Sequence, residues 1–373
     1  MKVAVLTQPL GANYGGMIQA FALQQVLKNL GHQVVTIDRR ELEPSFYERI
    51  LFYGSRIIKK MMGRRNAPIF IESHYKHMYK NTRAFIAKNL VTSHTIYSTD
   101  EMKQYFDKEA FDAVVVGSDQ VWRVDYSPNI FEFFLDFLEN TQIKKLSYAA
   151  SFGRSKWVMN NDDTKRCAEL AKTFDNVSVR EQEAVDLCKE YLGIDSTWVC
   201  DPTLLVPKAK YLKLIEDYEG VVKGDLFYYL LDNSGSKQDA IVKIADKLSM
   251  ETYTCYPKRK HYDTQGTDMN EYVFPPVEQW LSSFKDAKLI ITDSFHGVVF
   301  SLIFQKPFLV FINEERGASR FYSLMKIANF ESRLIKNEND LELILTDENL
   351  LHPVAVDEKF IEQSRAFLYS NIK

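Results

Sequence analysis

The sequence predicts an α/β protein made of two Rossmann-like lobes with mostly parallel sheets. Short apolar runs rich in Val, Ile and Tyr alternate with longer stretches of helical periodicity, which is the habit of parallel strands joined by crossover helices. The alternation comes in two series separated by a proline-marked change of texture. The 373 residues also exceed what one hydrophobic core usually organises.

In the first series, strands are expected at Val3 to Thr7, Val34 to Ile37, Ala113 to Val116, Lys145 to Ala150, Val177 to Val179 and Trp198 to Cys200. The second series gives Leu226 to Leu231, Thr252 to Tyr256, Leu289 to Thr292 and Phe308 to Ile312. Between them DPTLLVPKAKYLKL carries two prolines and reads as a hinge. The expected division is an N-terminal lobe over 1–205, a C-terminal lobe over 206–356 and a closing helix over 357–373, where Phe360, Ile361, Phe367 and Leu368 recur at helical spacing. A basic helical insertion occupies about 46–90. Within it Arg49, Arg56, Lys59, Lys60, Arg64 and Arg65 share 49–65 with Ile50, Leu51, Phe52, Ile57, Ile58, Met61 and Met62 and no acid. The favoured reading is a helix that packs its apolar side on the core; peripheral contact with an anionic membrane face is the alternative.

Composition narrows the function. Lys and Arg number 47 against 50 Asp and Glu, a net charge of -3. Such a chain lacks the basic excess that neutralises a phosphate backbone, so nucleic acid is not an expected partner. Cys167, Cys188, Cys200 and Cys255 stand far apart without a CxxC pair, which suits a reducing cytoplasm and neither a disulfide framework nor a zinc knuckle. The apolar run at the start stops after a few residues and reads as a buried strand rather than a signal peptide or anchor. His32, His74, His77, His94, His261 and His352 lack companion ligands at informative spacing, and no metal is expected.

Five segments are placed to carry chemistry. Gly11-Ala12-Asn13-Tyr14-Gly15-Gly16 turns from the first strand into an apolar-faced helix, where a ligand can approach backbone N–H groups. Its spacing departs from G-x-G-x-x-G, which disfavours a dinucleotide site. The strand Ala113 to Val116 ends in Ser118, Asp119, Gln120 and Trp122, and ligands of open α/β sheets lie beyond strand carboxyl ends; an ordinary turn with Trp122 in the core is the plainer alternative. A third strand ends in Arg180, whose guanidinium can fork onto a carboxylate or phosphate or pair with Glu181 or Glu183. In Thr292-Asp293-Ser294-Phe295-His296-Gly297 a strand end, a glycine and a helix start converge on a histidine able to move a proton near neutral pH. Finally Gly317-Ala318-Ser319-Arg320 presents a second guanidinium, which with Arg180 and His296 would make a cationic cleft for a small anion.

Taken as an ordered set, NYGGMIQAFALQQVLKNLG, FDAVVVGSDQVW, LSYAASFG, VSVREQEAVDLC, VCDPTLLV, LIITDSFHGVVFSLIFQKPFLVF and GASRFYSLM resemble the polysaccharide pyruvyl transferase family from Val3 to about Leu334. The resemblance implies a GT-B-like fold with the site in the cleft between lobes. It also implies transfer of pyruvate from phosphoenolpyruvate, a co-substrate needing no further cofactor, onto two hydroxyls of a saccharide. The product is a cyclic ketal in surface polysaccharide biosynthesis, and the acceptor is a saccharide, in one version lipid-linked. His296 matches the family's catalytic histidine and would act as general acid. Arg180 matches its strand-end arginine and would grip the donor, with Ser294, Gly297, Ser319 and Arg320 beside it. Asn13, Tyr14, Gly15, Ser118, Gln120 and Trp122 would meet the acceptor, and Asp119 would take a hydroxyl proton. One departure stands out: the family places arginine two residues before the histidine, where this chain has Ser294, so that contact is lost, moved to Arg320 or supplied by N–H groups near Gly297. Two other readings stay open, a nucleotide-sugar glycosyltransferase of the same architecture and a non-catalytic saccharide-binding protein.

Overall fold

The computed structural model describes residues 1–11, 13–42, 46–64, 69–70, 72–220, 224–232, 234–259, 268–312 and 317–373. Ala12, Arg65 and His261 therefore lie outside the described residues. The first sheet contains β1 (Lys2–Leu6), β2 (Gln33–Arg39), β3 (Thr92–Ile96), β4 (Ala113–Asp119), β5 (Lys144–Ala150), β6 (Ser178–Val179) and β7 (Thr197–Trp198) in the order β3-β2-β1-β4-β5-β6-β7. The second contains β8 (Leu226–Tyr229), β9 (Thr252–Tyr253), β10 (Leu289–Thr292), β11 (Phe308–Phe311) and β12 (Leu334–Ile335) in the order β12-β11-β10-β8-β9. Every pairing is parallel. Continuous burial along AVVV and LIIT is what strands covered on both faces require. Two strands escaped the sequence reading: β3, whose TSHTI is too polar to signal a buried run, and the two-residue β12 at the other sheet's edge.

Strand order reverses between β1 and β4 in one sheet and between β8 and β10 in the other. Loops leaving such a switch point diverge and open a crevice at the strand carboxyl ends. The two crevices face one another. An apolar cluster runs through both lobes, from Val3, Tyr14 and Leu27 to Trp280, Phe300 and Val310. At its centre Tyr14 stacks on Trp280 at 5.6 Å, Trp280 meets Phe284 and Phe300 edge-on at 4.7 and 5.0 Å, and the Tyr14 hydroxyl donates to Pro275 O at 2.7 Å. Aromatic pairs of this kind add about 0.5–1.5 kcal/mol each beyond their buried area. The lobes are thus held by a shared core rather than a wet seam.

The insertion departs from the favoured expectation. Helix Phe46–Met61 leaves Leu51, Ile58 and Met61 exposed instead of packing them on the core. Helices Glu72–Met78 and Lys80–Asn89 follow and bridge the lobes, with Asn81 Nδ2 donating to Phe274 O at 2.8 Å and Phe274 N donating to Met78 O at 2.9 Å.

Candidate functional site between the lobes

Residues at and just past the ends of β4, β6 and β7 in the first lobe meet the β10 exit and the Ser319–Ala328 helix of the second. Arg180, one residue past β6, is 3% exposed. Its Nη1 donates to Asp201 Oδ2 at 2.9 Å and its Nη2 to Asp119 Oδ1 at 3.4 Å, while Nε stands 3.6 Å from Glu181 Oε1 without a hydrogen bond. Its cationic form is favoured despite burial, which alone would oppose it, because Asp201, Glu181 and Asp119 surround it.

His296 enters from the second lobe on the first turn of helix Phe295–Phe304. Its Nε2 faces Asp201 Oδ2 at 3.6 Å and has no hydrogen-bond partner among the described residues, although the residue is only 6% exposed. The other face of the ring lies against Gly15, where a Cβ would stand 2.2 Å from Nδ1. Burial would raise the Asp201 carboxyl, but His296, Arg180 and Thr203 together hold it well below the usual carboxylate range. Asp201 is therefore an ionised acceptor that also takes Thr203 N and Oγ1 at 3.1 and 2.7 Å and the Ser118 hydroxyl at 3.4 Å.

Glu181 is the counterpart. Burial raises its carboxyl above the usual range, against the lowering effects of Arg180 and of the Ser151 hydroxyl, which donates to Oε1 at 2.5 Å. Arg320 lies across the junction, its Nε donating to Gly317 O at 3.4 Å. Burial above all, and then the neighbouring Arg180, push it down to about 10. Both guanidinium groups lie near Phe295, whose ring centroid is 4.6 Å from the Arg180 carbon and 5.9 Å from that of Arg320. Next to this pair a cavity of about 600 Å³ is lined by Arg154, Lys156, Glu183, Gly317 and Ser319. The Ser319 hydroxyl is buried there without a hydrogen-bond partner among the described residues.

The structure thus brings Arg180, Asp119, Ser118, Gly15, His296, Ser319 and Arg320 to one junction. The expected cationic cleft proves to be a mixed network, since Asp119, Glu181 and Asp201 share it with the guanidinium groups. Ser294 caps the helix that carries His296, its Oγ accepting from Gly297 N at 3.3 Å. The Gly297 N–H is consequently spent on the cap and does not replace the missing arginine. Trp122 does not reach the junction: it is 1% exposed, stacks on Phe134 at 5.0 Å and donates Nε1–H to Phe133 O, so it is core. Tyr14 is buried in the aromatic contact between lobes and Gln120 accepts from Arg123 Nη1 at 2.9 Å, while Asn13 is exposed at the mouth of its helix. Asp201 was given no role by sequence reasoning, and Glu181 only that of an ion-pair partner for Arg180. The signal was present, because Asp201 follows the expected strand Trp198 to Cys200 as Arg180 follows Val177 to Val179.

Comparison with known proteins fits this architecture. Among solved structures, UDP-GlcNAc 2-epimerase from Methanocaldococcus jannaschii superposes with a TM-score of 0.55 at 15% identity, covering 99% of this chain and 100% of that one. UDP-GlcNAc 2-epimerase from Neisseria meningitidis, bound to UDP-GlcNAc, gives a TM-score of 0.54 at 9% identity over 100% and 99%. At such identities the likeness shows the fold alone, the two-lobed α/β arrangement of the GT-B type. No curated protein matches the chain. The family model for polysaccharide pyruvyl transferase matches residues 13–315, a span that holds Gly15, Ser118, Asp119, Arg180, Asp201 and His296 and ends before Ser319 and Arg320, and the chain belongs to that family of transferases.

Proposed function

We propose that the protein transfers pyruvate from phosphoenolpyruvate to two hydroxyls of a saccharide, forming a ketal and releasing phosphate. The observation that carries this reading is the convergence at one buried junction of an imidazole and two guanidinium groups from opposite lobes. Among the described residues His296 Nε2 and Arg180 Nε lack hydrogen-bond partners there. Buried polar atoms are seldom left so, and cationic groups gathered at one junction suit a compact anion.

In this reading Arg180 and Arg320 hold the donor carboxylate and phosphate, and an anion between them relieves their mutual repulsion. His296 gives its proton to the vinyl carbon C3 as a sugar hydroxyl adds to C2. The C2–O bond to phosphate breaks, and the second hydroxyl closes the ring on C2. One hydroxyl proton thus replaces that given to C3, and the other leaves with phosphate. Asp119, whose Oδ2 faces the start of helix Tyr14–Asn29, takes a hydroxyl proton. Asp201 positions His296 and Arg180 and touches neither substrate. Asn13, Gly15, Ser118 and Gln120 lie on the acceptor side. A saccharide acceptor, in its lipid-linked form too, and a place in surface polysaccharide synthesis belong to the same proposal. So does a cytoplasmic location, supported by four buried free cysteines, three of whose thiols burial pushes up to about 12.

The test is titration with phosphoenolpyruvate and with uridine and guanosine diphosphates, followed by phosphate release in the presence of saccharides. Donor binding with saccharide-dependent release supports the proposal. Nucleotide binding in its place indicates a glycosyltransferase, and binding of saccharide without release indicates a non-catalytic protein.

A further inference from the structure

Helix Phe46–Met61 is attached through its polar flank. The Arg56 guanidinium lies 3.8 Å over the Phe52 ring, donates to Ile69 O at 2.8 Å and pairs with Glu72 at 2.7 Å. That attachment turns the opposite face outward. At about 100° per residue Ile50, Leu51, Ile58, Met61 and Met62 fall within one half of the helix surface and its extension. Their exposures are 54, 75, 57, 83 and 61%. Ten of the twenty exposed large apolar side chains among the described residues lie between Leu42 and Phe70. Lys59 borders this face on one side, Arg49 and Lys60 stand beyond its other border toward Arg56, and Arg64 follows the helix end, with Glu48 as the acid of the helix. No helix among the described residues is long and apolar enough to cross a membrane.

We propose that this face docks the protein on a bilayer surface carrying anionic headgroups, with the methionine, leucine and isoleucine side chains in the acyl boundary and the basic rim on the phosphates. An apolar stripe with a cationic border has that complementarity. A second copy of the chain would bring two like-charged rims together, so charge selects the lipid surface over a homodimer. The bridging helices Glu72–Met78 and Lys80–Asn89 connect the docked helix to Phe274, beside Tyr14, and so fix the orientation of the lobe junction to the surface. The docking does not depend on which reaction the junction performs.

Co-sedimentation of the full chain with vesicles tests it. Binding is expected to vesicles of equal parts phosphatidylcholine and phosphatidylglycerol and not to phosphatidylcholine alone. Lys59→Ala with Lys60→Ala should weaken it about tenfold or more, and Leu51→Glu with Met61→Glu should abolish it. Both double variants should melt as the parent does, because these side chains are exposed, and should bind phosphoenolpyruvate as the parent does. Absence of vesicle binding, binding indifferent to the Leu51 and Met61 changes, or a dimer in light scattering that those changes disperse would each overturn the proposal. Failure to bind phosphoenolpyruvate with vesicle binding intact would count against the reaction and not against the docking.

Discussion

At the scale of residues, Asp201 decides the electrostatics of the junction. It is fully buried and accepts from Arg180 while facing His296, so Asp201→Asn leaves a buried guanidinium short of its charge partner. Removing one member of such a pair costs about 3–5 kcal/mol, a loss that denaturant unfolding at neutral pH will measure. Its depressed carboxyl contributes stability that is complete above the ordinary aspartate value of about 3.9 and is lost as pH falls through and below it. Glu181 has the opposite sign. Burial raises its carboxyl, so the folded chain holds that proton more tightly than the unfolded one. Its contribution is complete below about 4.3 and is lost as pH climbs through the raised value. Glu181→Gln should therefore gain stability relative to the parent as pH rises through that window, and a difference that stays flat with pH would contradict the raised carboxyl. For His296→Ala phosphate release should fall about a hundredfold or more with donor binding largely retained; a small change would remove the imidazole from the chemistry.

At the scale of elements, glycine sets how near the lobes come. A methyl group at Gly15 would stand 2.2 Å from His296 Nδ1, and one at Gly317 would stand 2.5 Å from Gly153 O at a φ of +93°. At Gly15 the imidazole would have to move, and at Gly317 the neighbour is backbone, which cannot yield without parting the two lobes. Gly15→Ala is expected to displace His296 and to lower turnover by about a hundredfold, the scale of a misplacement of about 1 Å, with little change in the aromatic contact behind it. Turnover equal to the parent's would show that the closed approach of these elements is not used. These same elements show what could be read in the sequence. Buried runs ending in Arg180, Asp119 and His296 announced strand ends at a crevice, because parallel strands covered on both faces leave a plain apolar signature. The edge strand β3 carried no such signature, and Asp201 was overlooked because the adjacency of β7 to β6, which sets it beside Arg180, exists only in the folded sheet. Trp122 was misplaced for a different reason: an aromatic side chain suits a sugar platform and a core equally, and only its stacking on Phe134 separates the two.

At the scale of the whole molecule, the chain's last helix returns from the second lobe to brace the strand ends of the first. In helix Glu358–Asn371, Ile361 and Leu368 are buried in the apolar cluster shared by both lobes, as is Ile372 beyond its end. The Ser364 hydroxyl accepts from Cys200 N at 2.9 Å, Arg365 Nη2 donates to Leu205 O at 3.1 Å, and the Phe360 ring meets that of Trp198 at 4.4 Å. Trp198 Nε1 in turn donates to Arg180 O at 3.1 Å. A continuous path thus runs from the closing helix to the backbone of Arg180, and through Cys200 to Asp201. Ser364→Ala leaves the buried Cys200 N–H without its acceptor, which costs about 1–3 kcal/mol, and Phe360→Ala removes the ring that seats Trp198. If the helix only adds stability, the double variant will unfold at lower denaturant while its affinity for phosphoenolpyruvate stays constant. If it holds Arg180 and Asp201 in register, affinity should fall about tenfold or more at temperatures where the fold is intact. Titration of the double variant alongside denaturant unfolding separates the two, because a brace for the site must move both quantities and a mere cover moves one.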